Sequence, residues 1–423
     1  MTSNEIRKKF LEFFQKRGHA VIPSSSLVPE NDSSVLFTTA GMQQLKPYYT
    51  GKKNPQTDFN SLNIVSIQKC VRTSDIEEVG DESHLTFFEM LGNFSFGGYW
   101  KKEAIEYAYN FITQEMGLKI DYVSVFLGEA NVPADLESEK IWKSIDQNIT
   151  VKKFGREDNF WGPTGLEGPC GPTTEIYVDG IEIWNIVFNE FYQDKDKNLK
   201  TLDTKGVDTG MGLERLTKVV QKVKTVFDTD LFNLIIQKID DLSKVNDIHA
   251  KRIVADHIRT AVFMITDGVV PSNVDRGYVL RRLIRRAMNS RNKLELEYGY
   301  GETESPLRLI VKEVTEKYKE IYRELDLNID KILTILRNEE EKFNEALFVG
   351  QRKYEEVSSE PITGATAFGI SSTLGISIDL IKDWEKEKGR DVVKLKEEYD
   401  KEVKKHQELS RKGGEQKFKA VLE

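Results

Sequence analysis

The chain has 423 residues, with 61 Lys and Arg against 69 Asp and Glu, a formal net charge of −8. At 39% hydrophobic, 10% aromatic and 31% charged, it has a globular composition and length enough for two or three domains, which excludes disordered and low-complexity classes. Only Cys70 and Cys170 are available for disulfides, no apolar run nears the roughly 20 residues of a membrane span, and MTSNEIRKKF has no apolar signal core, so secreted, membrane and fibrous classes are excluded and a reducing, cytoplasmic setting fits.

The first helix is marked by the capping-box spacing of Thr2 and Glu5, with Ile6, Phe10, Phe13 and Phe14 repeating on one face. An irregular stretch, IPSSSLVPEND, precedes short apolar segments at Val35–Thr39 and Leu62–Arg72. The segment His84–Phe96 is rich in aromatics, as strands are. Residues 102–116 and 213–224 have helical spacing, and Ile183–Phe191 reads as a buried strand. Helices resume at Phe227–Leu242, His249–Asp267 and Arg276–Ser290. Between Leu307 and Leu325 the apolar residues recur at three- and four-residue steps. Val392 to Glu423 is highly charged and at best amphipathic. Eight of the eleven prolines lie before residue 173, and glycine clusters between Gly162 and Gly212. That change of punctuation predicts a mixed α/β first part and a mostly helical second part.

The segment VDTGMGLERL, residues 207–216, carries the clearest chemistry. Gly210 and Gly212 leave one side of a strand bare, so that a flat or charged ligand can approach the backbone. Arg215 follows where the chain turns helical and can project onto a phosphate. Taken alone, the pattern better describes a glycine-kinked strand feeding a surface helix with a solvated arginine. A second candidate strand, IQKCVR, ends in Arg72, and after the acidic loop TSDIEEVG the chain reaches DESHLTFFEMLGNFSFGGYW. An arginine on one strand and aromatics on its neighbour suit a nucleotide, with guanidinium on phosphate and ring on base. His84, Thr86 and Phe88 share one face by the two-residue period, whereas most rings of FF and FSF belong to a hairpin core.

These three elements resemble the signature motifs of class II aminoacyl-tRNA synthetases. In order over residues 6–290, IRKKFLEFF, GHAVIPSSSLVP, FTTAGM, TFFEMLGNFSFGGYW, DNFWGPTG, GPCGPTTEIY, EIWNIVF, VDTGMGLERL, ADHIRTAVFMITDGVVPSN and RGYVLRRLIRRA resemble the alanyl-tRNA synthetase family. The resemblance implies an α/β (α+β type) fold, an antiparallel sheet flanked by helices. It divides the chain into an aminoacylation domain at 1–245 and a helical domain at 246–423 for the tRNA acceptor stem. It implies ATP-dependent activation of L-alanine to alanyl-adenylate, release of pyrophosphate, and transfer to the 3′ end of tRNA-Ala. Positioning and charge stabilisation would supply most of the barrier reduction.

By the same resemblance Arg72 holds the α-phosphate and the alanine carboxylate, and Arg215 the γ-phosphate, as the two catalytic residues. Phe88 lies under adenine with Glu89 beside it, Gly212 completes the ATP site, and Mg²⁺ rides on the triphosphate. Asp208 takes the alanine ammonium, Trp161 and Asn185 wall its methyl, and Gly210 lies alongside. Each has a plainer alternative: core for Trp161, a strand-end cap for Asn185, a turn former for Asp208. Such a pocket rejects glycine and serine poorly. The family's editing zinc site is absent here: His19, His84, His249, His257 and His406 form no H-x-x-x-H pair, and no zinc-type metal site is legible. The expectation is therefore a chain without editing or the family's dimerising C-terminal part, a monomer, cut from a longer enzyme or naturally compact.

RGYVLRRLIRRAMNSRNK, residues 276–293, has seven basic residues and no acid, and Arg276, Arg281, Arg282, Arg285 and Arg286 make a ridge suited to RNA phosphates. The plainer alternative is a solvated face paired with carboxylates from elsewhere. Where the family presents an Asn before RGY and an Asp in a later segment to read the acceptor-stem G·U pair, this chain has Asp275 and Ser372. An Asn donates and accepts whereas an ionised Asp only accepts, so a different stem reading is expected. The acidic TSDIEEVG also replaces a longer basic loop, and Lys69 falls on the face opposite Arg72. Two rival readings stand beside this one: a class II paralogue passing alanine to a non-tRNA acceptor, and an RNA-binding relative without catalysis.

Overall fold

The computed structural model describes residues 1–30, 35–129, 131–163, 165–296 and 305–406. Within the charged C-terminal segment, residues 393–406 are helical, and 407–423 lie outside the described residues. Nine strands form the sheet: β1 (Ala20–Val21), β2 (Asn63–Val71), β3 (Phe87–Phe96), β4 (Tyr122–Phe126), β5 (Val151–Phe154), β6 (Phe160–Trp161), β7 (Gly168–Val178), β8 (Ile181–Gln193) and β9 (Leu199–Gly212). Their order is β1-β2-β3-β9-β8-β7-β4-β5, with β6 on β7. Only β1–β2 and β4–β5 run parallel. The glycine-rich stretch is thus three long antiparallel strands. The β7–β8 turn is Asp179–Gly180, both at positive φ (50° and 73°), the two-residue connection that matches strand twist.

The helix Ser3–Gln15 begins as expected: Thr2 N–H donates to Glu5 Oε2 at 2.7 Å and Thr2 Oγ1 accepts from Glu5 N–H. Its apolar stripe packs on one face of the sheet, Phe10 against Trp184 of β8 with ring centroids 6.0 Å apart. The helix Ile248–Thr266 joins the same layer, Phe263 stacking on Phe87 of β3 at 4.1 Å and 11°. The other face is only partly covered, by the short helical segment Gly41–Leu45 and its continuation to Tyr49, which pack on Ile64, Phe94 and Phe96. What remains bare is the mouth of a pocket.

One apolar core extends from Ile6 to Phe343 without a break at residue 245, because the helices Ile248–Thr266, Asp275–Lys293 and Pro306–Tyr318 close over the same sheet face. A second, smaller core gathers Tyr354, Ile370, Ile381 and Trp384 with their neighbours beyond it. No described helix is long and apolar enough to cross a membrane. Phe263 also meets Tyr318 and Tyr322 edge-on at 5.5 and 5.2 Å, so it ties three helical segments to β3. Phe263→Ala is expected to destabilise the protein by about 3–5 kcal/mol, read as an earlier urea midpoint at unchanged slope.

Candidate active site

Strand alternation sorts the side chains of β2, β3, β8 and β9 onto two faces. Val71, Phe87, Leu91, Trp184, Ile186, Val207 and Met211 point into the helical core. Phe88, Met90, Ile183, Asn185, Val187, Asp208, Gly210 and Gly212 face the other way and, with Arg72, Trp161 and Arg215, line a cavity of about 220 Å³. Arg72, Phe88, Trp161, Asn185, Asp208, Gly210, Gly212 and Arg215 are therefore gathered at one site from five separated chain segments. The registers set the neighbours: Val187 lies opposite Asp208 and Asn185 opposite Gly210.

Asp208 is the electrostatic outlier. It is 5% exposed, and no described residue gives its side chain a hydrogen bond or an ion pair. Burial alone pushes its carboxyl up to about 8. Arg72 also has no salt bridge among the described residues; its guanidinium lies 4.9 Å from the centre of the Phe88 ring. Arg215 is half-exposed and bound to Glu182 Oε2 at 2.7 Å. Asn185 donates from Nδ2 to Glu175 Oε1 at 3.1 Å, while its buried Oδ1 lacks a partner. Glu175, which also accepts from Ser124 and Tyr177, is pushed up to about 7 by burial and then by the neighbouring Glu182.

The two glycines differ in purpose. A Cβ at Gly210 would come within 2.9 Å of Met90 Sδ, the end of a flexible side chain that would have to shift. At Gly212 the nearest foreign atoms are Arg215 side-chain carbons at 3.9 Å, and the backbone there is open to a ligand.

Glu89 requires a correction. By the alternation that brings Phe88 to the cavity, Glu89 faces the helices and is 0% exposed. Arg7 Nε donates to its Oε1 at 3.0 Å, Arg7 Nη2 grips Oε2, and Tyr322 OH donates to Oε1 at 2.7 Å. In this structure it is a buried, ion-paired carboxylate that does not line the cavity. Thr86 is likewise buried, its amide donating to Asp256 Oδ1 at 2.9 Å, because β3 starts only at Phe87 and the two-residue period does not yet hold. His84, Asp75 and Glu182 line the cavity too. His84 was legible as sharing the Phe88 face; Asp75 and Glu182 carried no pattern that singled them out. Lys69 is on the far face as expected, paired with Asp267 at 2.9 Å.

The arginines of the ridge are paired with carboxylates from remote sequence, as the plainer alternative describes. Arg281 and Arg285 both donate to Glu339 Oε1, at 3.1 and 2.8 Å. Arg282 and Arg286 both hold Glu77. Arg286 is largely buried and further contacts His257 Nε2 at 3.1 Å and Asp379 at 3.4 Å. Arg276 donates to the Leu36 carbonyl at 2.5 Å. Asp275, with φ 50°, and Ser372 are exposed.

A sheet of this order, with an arginine closing the β2–β3 hairpin and a glycine strand running into an arginine-bearing helix, is that of a class II tRNA synthetase; the family model of class II (A) tRNA synthetases matches residues 5–423. The alanine–tRNA ligase of Borrelia hermsii is 41% identical over 457 residues, spanning 100% of this chain and 75% of that protein. The alanine–tRNA ligase of Treponema denticola is 42% identical over 460 residues with the same coverage. Among solved structures, aspartyl tRNA synthetase from Entamoeba histolytica aligns over 54% of this chain and 56% of that one, at 14% identity and a TM-score of 0.36. The chain belongs to the alanine–tRNA ligase family.

If Glu89 is structural, Glu89→Ala leaves Arg7 buried without its partner and lowers stability by about 3–5 kcal/mol in urea unfolding. The KM for ATP in pyrophosphate exchange should stay within about twofold of the parent's. A raised KM at unchanged stability would return Glu89 to the nucleotide.

Proposed function

We propose that this chain activates L-alanine with ATP, releasing pyrophosphate, and transfers the alanyl group to the 3′ end of tRNA-Ala in the cytoplasm. The observation that carries the reading is Asp208: a buried carboxylate facing a small cavity with no cation of its own. A ligand bearing an ammonium and no bulk supplies what it lacks, and α-amino acids with a methyl side chain fit about 220 Å³ alongside a nucleotide's phosphates. Trp161 and Asn185 bound the methyl side, and Gly210 keeps the strand low beneath Met90.

Arg72, unpaired beside the ring of Phe88, takes the α-phosphate and the alanine carboxylate, where charge builds up as the carboxylate attacks phosphorus. Phe88 offers a face for adenine and Gly212 an open backbone. Arg215 exchanges Glu182 for the γ-phosphate, a trade of one half-exposed anion for a more highly charged one. Glu182 and Asp75, hard oxygen donors on the cavity wall, suit the Mg²⁺ that accompanies a triphosphate. Residues 1–245 form the aminoacylation part and 246–423 the part that recognises the acceptor stem, with Asp275 and Ser372 exposed for that contact.

The Asp208 reading has a definite pH signature. With its carboxyl at about 8, the empty site is protonated at neutral pH, and the alanine ammonium restores the ionised form. Alanine binding at pH 7 should therefore release close to one proton, and affinity should weaken about tenfold per pH unit below 8. Calorimetry in two buffers of different ionisation enthalpy reads both; no proton release would mean that Asp208 is already ionised. The native state holds a proton that the unfolded chain has lost between about pH 4 and 8, so this group makes stability fall as pH rises through that window. Asp208→Asn should accordingly raise Tm at pH 8 while alanine-dependent exchange drops at least about a hundredfold. A stable variant with normal exchange sinks the assignment.

A further inference from the structure

One row of side chains crosses four strands on the cavity face of the sheet. Ser124 of β4 lies opposite Glu175 of β7, Glu175 opposite Asn185 of β8, and Asn185 opposite Gly210 of β9. Directly opposite side chains share a face, so the row leads from buried Ser124 and Glu175 to the cavity wall, where Asn185 and Gly210 stand. Glu175 does not itself line the cavity.

Hydrogen bonds run along this row with a fixed sense. Asn159 Nδ2 donates to Ser124 Oγ at 2.8 Å, which leaves the Ser124 proton to be donated onward to Glu175 Oε2 at 3.0 Å. Tyr177 OH donates to the same oxygen at 2.8 Å, and Asn185 Nδ2 donates to Oε1 at 3.1 Å. Three donors converge on one buried carboxylate, a set that suits its ionised form. An ionised carboxylate only accepts, so the Asn185 NH₂ faces it and the carbonyl Oδ1 is the polar atom left over. That Oδ1 is buried without a partner among the described residues, and a buried acceptor so placed calls for a donor. The only N–H donors alanine has are those of its ammonium.

The same chain of contacts reaches the opposite wall. Asn159 ends the turn Arg156–Asn159, directly before Phe160–Trp161, and its Nδ2 also lies 3.2 Å from Thr173 Oγ1 of β7. Trp161 and Asn185, the two residues that bound the methyl side, are thus held from behind through Ser124 and Glu175.

We propose that Glu175 is the positioning residue of the amino-acid pocket: it fixes the Asn185 amide with the carbonyl oxygen left for the substrate and, through Ser124 and Asn159, holds that amide in step with Trp161. The proposal rests on alanine being the amino acid bound. Glu175→Gln tests it at nearly constant shape. The Ser124 and Tyr177 hydroxyls hold the glutamine carbonyl, which turns its NH₂ toward Asn185, and the Asn185 amide then reverses and offers Nδ2 to the ammonium. The assay is pyrophosphate exchange by the full chain at pH 8, above the value of about 7 to which burial raises Glu175. The KM for alanine should rise at least about tenfold, while the KM for ATP and kcat stay within about twofold of the parent's. Asn185→Ala should raise the KM for alanine too. Adding Glu175→Gln to it should change that KM by less than about twofold, because the amide through which Glu175 acts is already gone.

A KM for alanine unchanged in Glu175→Gln overturns the proposal, as does a parallel rise in the KM for ATP. A further rise of about tenfold in the Asn185→Ala background also overturns it, because Glu175 would then act by some route other than Asn185. Should Glu175→Gln not fold, as read by circular dichroism, Tyr177→Phe takes its place. It strips one donor from Oε2 and should raise the KM for alanine alone by about threefold, and an unchanged value overturns the proposal. A parent chain without alanine-dependent exchange overturns the alanine reading itself, and that result is separate from any effect of the variants.

Discussion

Everything in the site depends on β3 serving two interiors at once. Its odd-numbered residues anchor the helices, with Phe87 stacked under Phe263 and Glu89 locked by Arg7 and Tyr322. Its even-numbered residues, Phe88 and Met90, face the cavity. A one-residue slip would exchange the two sets and bury the cavity wall in the core. Register is therefore enforced from the side away from the cavity, where the ion network around Glu89 holds β3 against the helices. The Glu214 carboxylate joins the same network, accepting from Arg259 at 3.0 Å and from the Glu89 amide at 3.2 Å, and so ties β3 to the helix Leu213–Gln221 that carries Arg215.

The cavity inverts the usual rule for buried charge. On the helical side every buried ion has a partner: Arg7 with Glu89, Arg259 with Glu214, Lys69 with Asp267. On the cavity side Asp208 and Arg72 are left uncompensated. Burial without a partner holds the Asp208 carboxyl in its protonated form, and Arg72, half-buried beside Phe88, has no salt bridge among the described residues. The two residues without ionic partners mark the cavity more specifically than its shape does.

Much of this was legible because it is local or periodic. The Thr2 capping box, the apolar stripe of the first helix, the buried strand around Ile183–Phe191 and the bare face at Gly210 and Gly212 all follow from spacings within a few residues. Arg72, Asp208 and Arg215 were reached by resemblance together with chemistry, and the sheet gathers them. Glu89 was misread because adjacency in sequence is opposition in a strand: its neighbour Phe88 faces the cavity, so Glu89 cannot. Thr86 failed for the complementary reason, since an alternation argument holds only where the chain is already extended in the sheet. Asp75 and Glu182 escaped notice because an isolated carboxylate at a strand or loop end has no local signature.

The arginine helix shows where local charge counting breaks down. Seven basic residues without an acid make an unbalanced window, yet Glu77 lies about two hundred positions away from Arg282 and Arg286, and Glu339 more than fifty from Arg281 and Arg285. Ion pairing is decided by packing, and a window sees none of it. The pairing has a structural consequence of its own. Glu77 sits on the short turn Ser74–Glu77 that also carries Asp75 of the cavity wall, so the helix Asp275–Lys293 grips the loop between the strands bearing Arg72 and Phe88. Arg286 extends that grip through His257 to Asp256, which accepts the Thr86 amide at the far end of the same loop. Both ends of an otherwise solvent-facing acidic loop are thereby fixed by one helix. The same basic residues that look like an RNA ridge hold the loop beside Arg72 in place, and any phosphate reaching them must compete with carboxylates already bound.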